Sequence, residues 1–257
     1  MTISMELIKK VRQATGAGIN DVKKALEETN GNEPAAVDYL RKQGQKIAAK
    51  KNDRLAKEGV ITSLKQNNRV AIVALACETD FVALNADFLK AGEEMAGQLL
   101  KSGEENFGAW AQDKIQNELI VKIGENIKLA HFAVITGEVI GVYVHSDRKL
   151  AAAVVLSGGS EELAKEVALQ ITAMDPAYLK PEDVPEAELD KEKEIYLEQL
   201  KKEGKPAEII DKILAGKIRK YYSEVCLLKQ PYIKDEKISI EKLLGDVKVE
   251  KFIRFSL

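Results

Sequence analysis

The chain is almost without the side chains that carry out covalent chemistry. Two histidines and two cysteines are present among 257 residues. Cys77 and Cys226 lie far apart and match neither a metal-ligand spacing nor a disulfide framework, so a reducing cytoplasm is the expected home. No Gly-x-x-x-x-Gly-Lys loop, Gly-x-Gly-x-x-Gly turn, His-Glu-x-x-His or Gly-x-Ser-x-Gly occurs. A phosphate cradle, a zinc helix and a nucleophile elbow are therefore not expected. An excess of one charge is lacking too: 39 Lys and Arg stand against 41 Asp and Glu, for a formal net charge of -2. Nothing global points to nucleic acid or to an anionic membrane surface. No run approaches the roughly 20 apolar residues of a membrane span. The opening MTISMELIKKVRQ carries Glu6 and Lys9 in its first apolar face, and no secretory signal is expected. His131 lies in an apolar strand pattern and is expected in the core, whereas His145 ends a strand at a turn and is expected on the surface. Cys77 closes an apolar strand, where a neutral thiol behaves as a small hydrophobe. No catalytic residue, cofactor or metal is expected.

What is present is a series of short periodic segments that read as an α+β protein. Residues 1–53 form a small helical module. Leu7, Ile8 and Val11 share one face of a first helix that stops at Gly16 and Gly18, and Val22, Ala25 and Leu26 mark a second ended by TNGN. Asn32 is the expected N-cap of a third, with Pro34 in its first turn, Val37 and Leu40 facing inward, and an end at Gly44. Arg41 to Lys57 then carries seven basic residues against Asp53 alone. It reads as a solvated linker helix or, alternatively, as a phosphate-binding segment.

From Gly59 the period changes to two. GVITSLKQ, the turn NNR and VAIVALAC predict a hairpin whose second strand, apolar on both faces, is central in a sheet. A helix with Phe88, Leu89, Met95 and Leu99 follows a cap at Asn85, and another around Ile115 to Ile123 leads through Gly124 to the strand NIKLAHFAVI. The plan then repeats: EVIGVYVH, the turn SDR and KLAAAVVLSG form a second hairpin, SEELAKEVALQITAM a helix, and SIEKLLGD with VKVEKFIRFSL a helix, glycine and strand. Residues 54–138 and 139–257 are accordingly two related α+β subdomains. The second contains an insertion, Val184 to Val225 and most clearly about 186–225, with two helical patterns broken at Gly204 and Pro206. Leu189, Ile195, Leu197 and Leu200 face Ile209, Ile210, Ile213, Leu214 and Ile218 across an antiparallel hairpin. Such a hairpin is expected to lie against a second chain or another protein.

Aromatics make up only 5% of the sequence, yet ACETDFVALNAD places Phe81 behind Glu78, Thr79 and Asp80 at the mouth of the central strand. Read alone, Thr79 or Asp80 caps a helix and Phe81 and Val82 turn into the core.

LIKKVRQATGAGINDVKKALEETNGNEPAAVDYLRKQGQKIAAKK and ACETDFVALNADF resemble the elongation factor Ts family of translation, and KPEDVPEAEL, GKPAEII and FIRF extend the likeness over nearly the whole chain. The resemblance implies a ubiquitin-associated-like N-terminal domain, two core subdomains and a coiled-coil module through which a homodimer forms. It implies an exchange factor, not an enzyme, for elongation factor Tu in its GDP-bound and nucleotide-free forms, without direct contact to nucleic acid or membrane. Asp80 and Phe81, flanked by Thr79 and Val82, are implied to enter the partner's G domain and disturb its Mg²⁺ site, so that Phe81 projects and Val82 packs beneath. Arg12, Ile19 and Asn20 on the N-terminal module and His145 on the second subdomain are implied secondary contacts. Some members continue past the FIRF strand into an acidic helical module; with this chain ending at Leu257, a lower affinity is expected. A bacterial source is expected because no transit peptide is evident. Two other classes remain open on the residues: a binding adaptor that dimerises, and an RNA-binding protein using the basic joint.

Overall fold

The computed structural model describes residues 3–51, 53–203 and 206–257. The chain is a mixed α+β protein that divides into two compact units. Met1–Thr136 with Val144–Ala151 and Phe255–Leu257 form the first, and Gly137–Tyr143 with Ala152–Arg254 form the second.

The first unit begins with three helices. In α1 (Met5–Thr15) the Ser4 hydroxyl accepts from the Leu7 N–H, and Gly16, at φ 67°, closes the helix by donating to the Arg12 carbonyl. This left-handed residue is the ordinary glycine stop. Next come α2 (Ile19–Glu28) and α3 (Glu33–Lys51). Asn32 caps α3 as expected, its side-chain oxygen accepting from Ala35 N–H at 3.0 Å. Ile8, Val11, Val22, Ala25, Leu26, Ala36 and Leu40 close the core between the helices. The expected stop at Gly44 is wrong, since α3 continues to Lys51. Gly44 serves a close approach instead: a Cβ there would overlap Cγ2 of Val121. The basic run from Arg41 thus begins as helix, and Asn52 within it lies outside the described residues.

Strands β1 (Glu58–Gln66), β2 (Arg69–Cys77) and β3 (Lys128–Thr136) form an antiparallel sheet in that order, with β2 in the centre as its two-faced apolar pattern demands. Between β2 and β3 run α4 (Asp80–Ala83), α5 (Ala86–Ser102), α6 (Glu104–Lys114), a π turn (Ile115–Leu119) and α7 (Ile120–Ile123). Phe88, Met95, Leu99, Phe107 and Ile115 bury themselves against Val73 and Leu75 of the sheet. His131 departs from expectation. It is exposed, because β3 is an outer strand and a bulge at Ala74/Leu75 slips the register so that Ala130 and His131 both face outward; its ring stacks on Phe255 at 5.2 Å.

In the second unit β4 (Val139–Val144), β5 (Leu150–Leu156) and, after the intervening segments, β8 (Val249–Ser256) repeat the order of hairpin and late third strand, with the hairpin's second strand again central. The ends of these strands count with the first unit. α8 (Glu161–Met174), capped by the Ser160 hydroxyl, packs Ala164, Val167, Ala168 and Ile171 onto the sheet. A small hairpin of β6 (Pro231–Tyr232) and β7 (Asp235–Ser239) was not evident in the pattern, whereas the helix expected in SIEKLLGD is present as α11 (Ile240–Leu244), ended by Gly245. The insertion forms α9 (Glu186–Lys202) and α10 (Ala207–Val225), which pack on each other; the break at Gly204 lies outside the described residues. Leu200 is buried between them, while Ile195 and Ile209 remain exposed. At the base, Tyr178 and Tyr221 both donate to the Glu188 carboxylate. Among the described residues, no helix is long and apolar enough to cross a membrane.

Gly141 of β4 lies directly beneath α8, where a Cβ would overlap the backbone carbonyl of Ala164. Backbone cannot yield as a side-chain tip can. Gly141→Ala is expected to cost about 1–3 kcal/mol through overpacking, whereas Gly158→Ala, in open space, should be nearly neutral in the same chemical denaturation experiment.

Candidate functional site

Where β2 ends, the chain must turn away from the sheet with backbone donors that no longer face a neighbouring strand. Pairing with β1 ends at Cys77 and pairing with β3 at Ala76. The N–H groups of Glu78 and Thr79 instead donate to one oxygen of Glu125, each at 3.0 Å, and the Thr79 hydroxyl donates to the other at 2.6 Å. The return ties run the opposite way. The Glu78 carboxylate accepts from Asn126 N–H at 2.7 Å and pairs with Arg54 at 3.4 Å. The buried amide of Asn126 donates to the Arg54 carbonyl at 2.8 Å. The bond from Asn126, with help from Arg54, holds the Glu78 carboxyl below the usual carboxylate range.

On this base sits α4, a single turn. Thr79 is its N-cap, accepting from the Val82 N–H at 3.4 Å, and the Asp80 carboxylate accepts from the Phe81 N–H at 2.9 Å. Ala83 is buried and Val82 half-buried against the core of the first unit. With those two turned in, helical geometry turns the others out. Phe81 is 83% exposed and Leu84 79% exposed. Leaving a phenyl ring in water forgoes roughly 2 kcal/mol of burial, so the placement is costly for the isolated chain. Both alternatives at this tetrapeptide are thus partly met: Thr79 does cap a helix, but Phe81 does not enter the core.

Beside α4 the β4–β5 turn, Ser146 to Lys149, closes a cleft of about 380 Å³ whose other wall includes Asp80, Ala83, Leu84 and Leu89. Lys149 pairs with Glu58 at 2.6 Å, and that bond raises its pKa. His145, exposed, leads into the same turn, its N–H donating to the Leu150 carbonyl. Thr79, Asp80, Phe81 and Val82 thus stand beside the turn that follows His145. Arg12, Ile19 and Asn20 are exposed on α1 and α2, which pack on each other and on α3, whereas α4 packs on β1, β2 and α5. Ile19, 47% exposed, is not a core residue.

Leu84 and Glu125 were not singled out from the sequence. Leu84 could have been found by its spacing, three residues after Phe81. Nothing local reveals that Glu125, 46 residues from Thr79, is its partner; the only signal is an acid directly after a helix-ending glycine.

The arrangement offers an apolar tip with an adjacent carboxylate, mounted on a network of charged hydrogen bonds. Among the described residues no group of three or more His, Cys, Asp or Glu could hold a metal ion.

Residues 78–257 match the family model described as Elongation factor TS. Similarity to proteins named Elongation factor Ts covers nearly the whole chain. Identity is 41% over 261 residues with that of Deinococcus radiodurans, covering 98% of this chain and 99% of that protein. It is 42% over 277 residues with that of Halothermothrix orenii, covering 100% and 93%. With that of a Hydrogenobaculum species it is 40% over 272 residues, covering 100% and 99%.

Cys77 adjoins the site, donating its thiol proton to the Thr79 carbonyl at 3.2 Å. Burial, and then the Glu125 carboxylate, push its pKa up to about 12; burial likewise pushes Cys226 to about 11. Only a thiolate attacks. In the native protein at pH 8 both thiols should therefore be inert to a disulfide reagent over the time in which a small free thiol reacts completely, and both should titrate after denaturation; rapid native labelling would contradict the burial described.

Proposed function

The chain belongs to the elongation factor Ts family, and on that premise we propose that it is the guanine nucleotide exchange factor for elongation factor Tu in translation elongation. It acts in the cytoplasm by binding alone, without covalent chemistry. The observation that carries this reading is Phe81, 83% exposed on a helical turn whose other side chains are packed or capped. On docking, Asp80 and Phe81 enter the partner's G domain near its Mg²⁺. A P-loop GTPase holds that ion with few protein ligands in near-ideal octahedral geometry, so small shifts of the surrounding elements weaken it. A phenyl ring pushed into a packed interior displaces side chains, and packed interiors transmit strain. Without Mg²⁺ the GDP phosphates lose their counter-charge and the nucleotide leaves faster.

Thr79 and Val82 mount this tip, and Leu84 extends its apolar surface. Arg12, Ile19 and Asn20, on a ubiquitin-associated-like domain of residues 1–53, and His145 supply secondary contacts. The two repeated subdomains, 54–138 and 139–257, carry the tip and the hairpin respectively. Ile195 and Ile209, exposed on α9 and α10, suit the hairpin to a second copy of the chain.

The test is the rate of fluorescent GDP release from purified elongation factor Tu with Mg²⁺ present. The parent should accelerate release, and Phe81→Ala should reduce that acceleration tenfold or more, roughly the cost of truncating a central interface aromatic. A folded parent that leaves the rate unchanged would overturn the exchange reading.

A further inference from the structure

We propose that Glu125 is a positioning residue for exchange: by gripping Glu78 and Thr79 it keeps α4 folded with Phe81 facing outward before the partner arrives. This rests on the exchange reading above.

A helix of one turn does not persist in water unaided, because nucleation fixes several residues for a single hydrogen bond. The internal supports of α4 are few: backbone bonds from Ala83 N–H to the Thr79 carbonyl at 3.2 Å, Leu84 N–H to that of Asp80 at 3.1 Å and Asn85 N–H to that of Val82 at 3.0 Å, a 3.4 Å cap from Thr79, and the Asp80 carboxylate on Phe81 N–H. The strongest external support is Glu125, which takes all three donors of the entry, two backbone N–H groups and a hydroxyl, on one ionic group. Bonds to an ionised acceptor are roughly twice as strong as neutral ones. Its own position is fixed. Gly124, at φ 83°, ends α7, and the Gly124 carbonyl accepts from Lys51 at the end of α3. The adjacent Asn126 N–H is held by Glu78. The two segments therefore tie each other in both directions, with the half-buried Glu125 behind the tip rather than on it.

Remove the carboxylate and the donors of Glu78 and Thr79 lose their partners while Phe81 gains by folding down over the neighbouring apolar wall. The competent fraction then falls, and apparent affinity falls in proportion. The maximal rate survives because docking restores the turn. A residue that merely supported the fold would not behave this way.

The experiment measures GDP release from elongation factor Tu over a range of factor concentrations for the parent, Glu125→Ala, Phe81→Ala and the double variant. Glu125→Ala, which removes the acceptor of three hydrogen bonds, should raise the half-saturating concentration about tenfold or more, the loss of even one charged hydrogen bond being worth about that much, and leave the plateau within twofold. In the Phe81→Ala background the same change should shift little, since the group it positions is gone. Native labelling of Cys77, whose thiol bonds to Thr79, should speed up in Glu125→Ala. Thr79→Val, which deletes the hydroxyl bond to Glu125 together with the weaker cap on Val82 N–H, should move the half-saturating concentration in the same direction and serves if Glu125→Ala does not fold. A parent-like Glu125→Ala, or an equal loss in both backgrounds, overturns the positioning role while leaving Phe81 in place. A parent-like Phe81→Ala brings down the positioning role together with the role of Phe81, while acceleration by the parent keeps the exchange reading; a parent that does not accelerate release brings down all three.

Discussion

The geometry of the site depends on a pair of carboxylates exchanged between two chain segments. Glu125 receives the donors at positions 78 and 79, and Glu78 receives the donor at position 126. Sheet ends are places where backbone groups lose their partners, and buried or half-buried ones must find others. Here the substitutes are ionic and reciprocal, so the turn after β2 keeps its backbone donors paired where the ladder ends. Everything beyond that turn follows: Val82 and Ala83 fall inward, and Phe81 and Leu84 are left outside. The same base reaches the end of α3 through Lys51 and Arg54, which ties the N-terminal helices to the mounting of the tip.

Much of this was legible because it is local. Asn32 and Asn85 announce their caps, Gly16 its stop, and the two-faced apolar run of β2 its central place. The order of hairpin and late third strand in each sheet could be read because the strands keep the expected period of two. What failed was long-range. Gly44 looks like a helix end, yet it is a contact point for Val121, 77 positions away, and glycine signals both. His131 sits in an apolar run, but a bulge decides which way it points, and bulges leave little trace in composition. Glu125 carries no mark of its partner at all. Phe81 itself was ambiguous on its residues, since a capped helix can turn that ring in or out; only the packing of Ala83 resolves it.

A tip held out by its own chain separates two tasks that a flexible loop would mix. Ordering is completed in the free protein, so little of the contact energy is spent on it. What the ring contributes can then fall on the difference between partner states. By linkage, a factor that weakens GDP must itself be weakened by GDP to the same extent, and returning nucleotide expels it. In the proposed exchange, Phe81 supplies this difference and is more than an anchor.

The direct measurement is a thermodynamic box: the affinity of the chain for nucleotide-free and for GDP-bound elongation factor Tu, with the parent and with Phe81→Ala. The account predicts that the parent binds the nucleotide-free form far more tightly and that Phe81→Ala narrows the ratio between the two affinities. An equal loss of affinity for both forms, with the ratio unchanged, would contradict it and make Phe81 a simple contact.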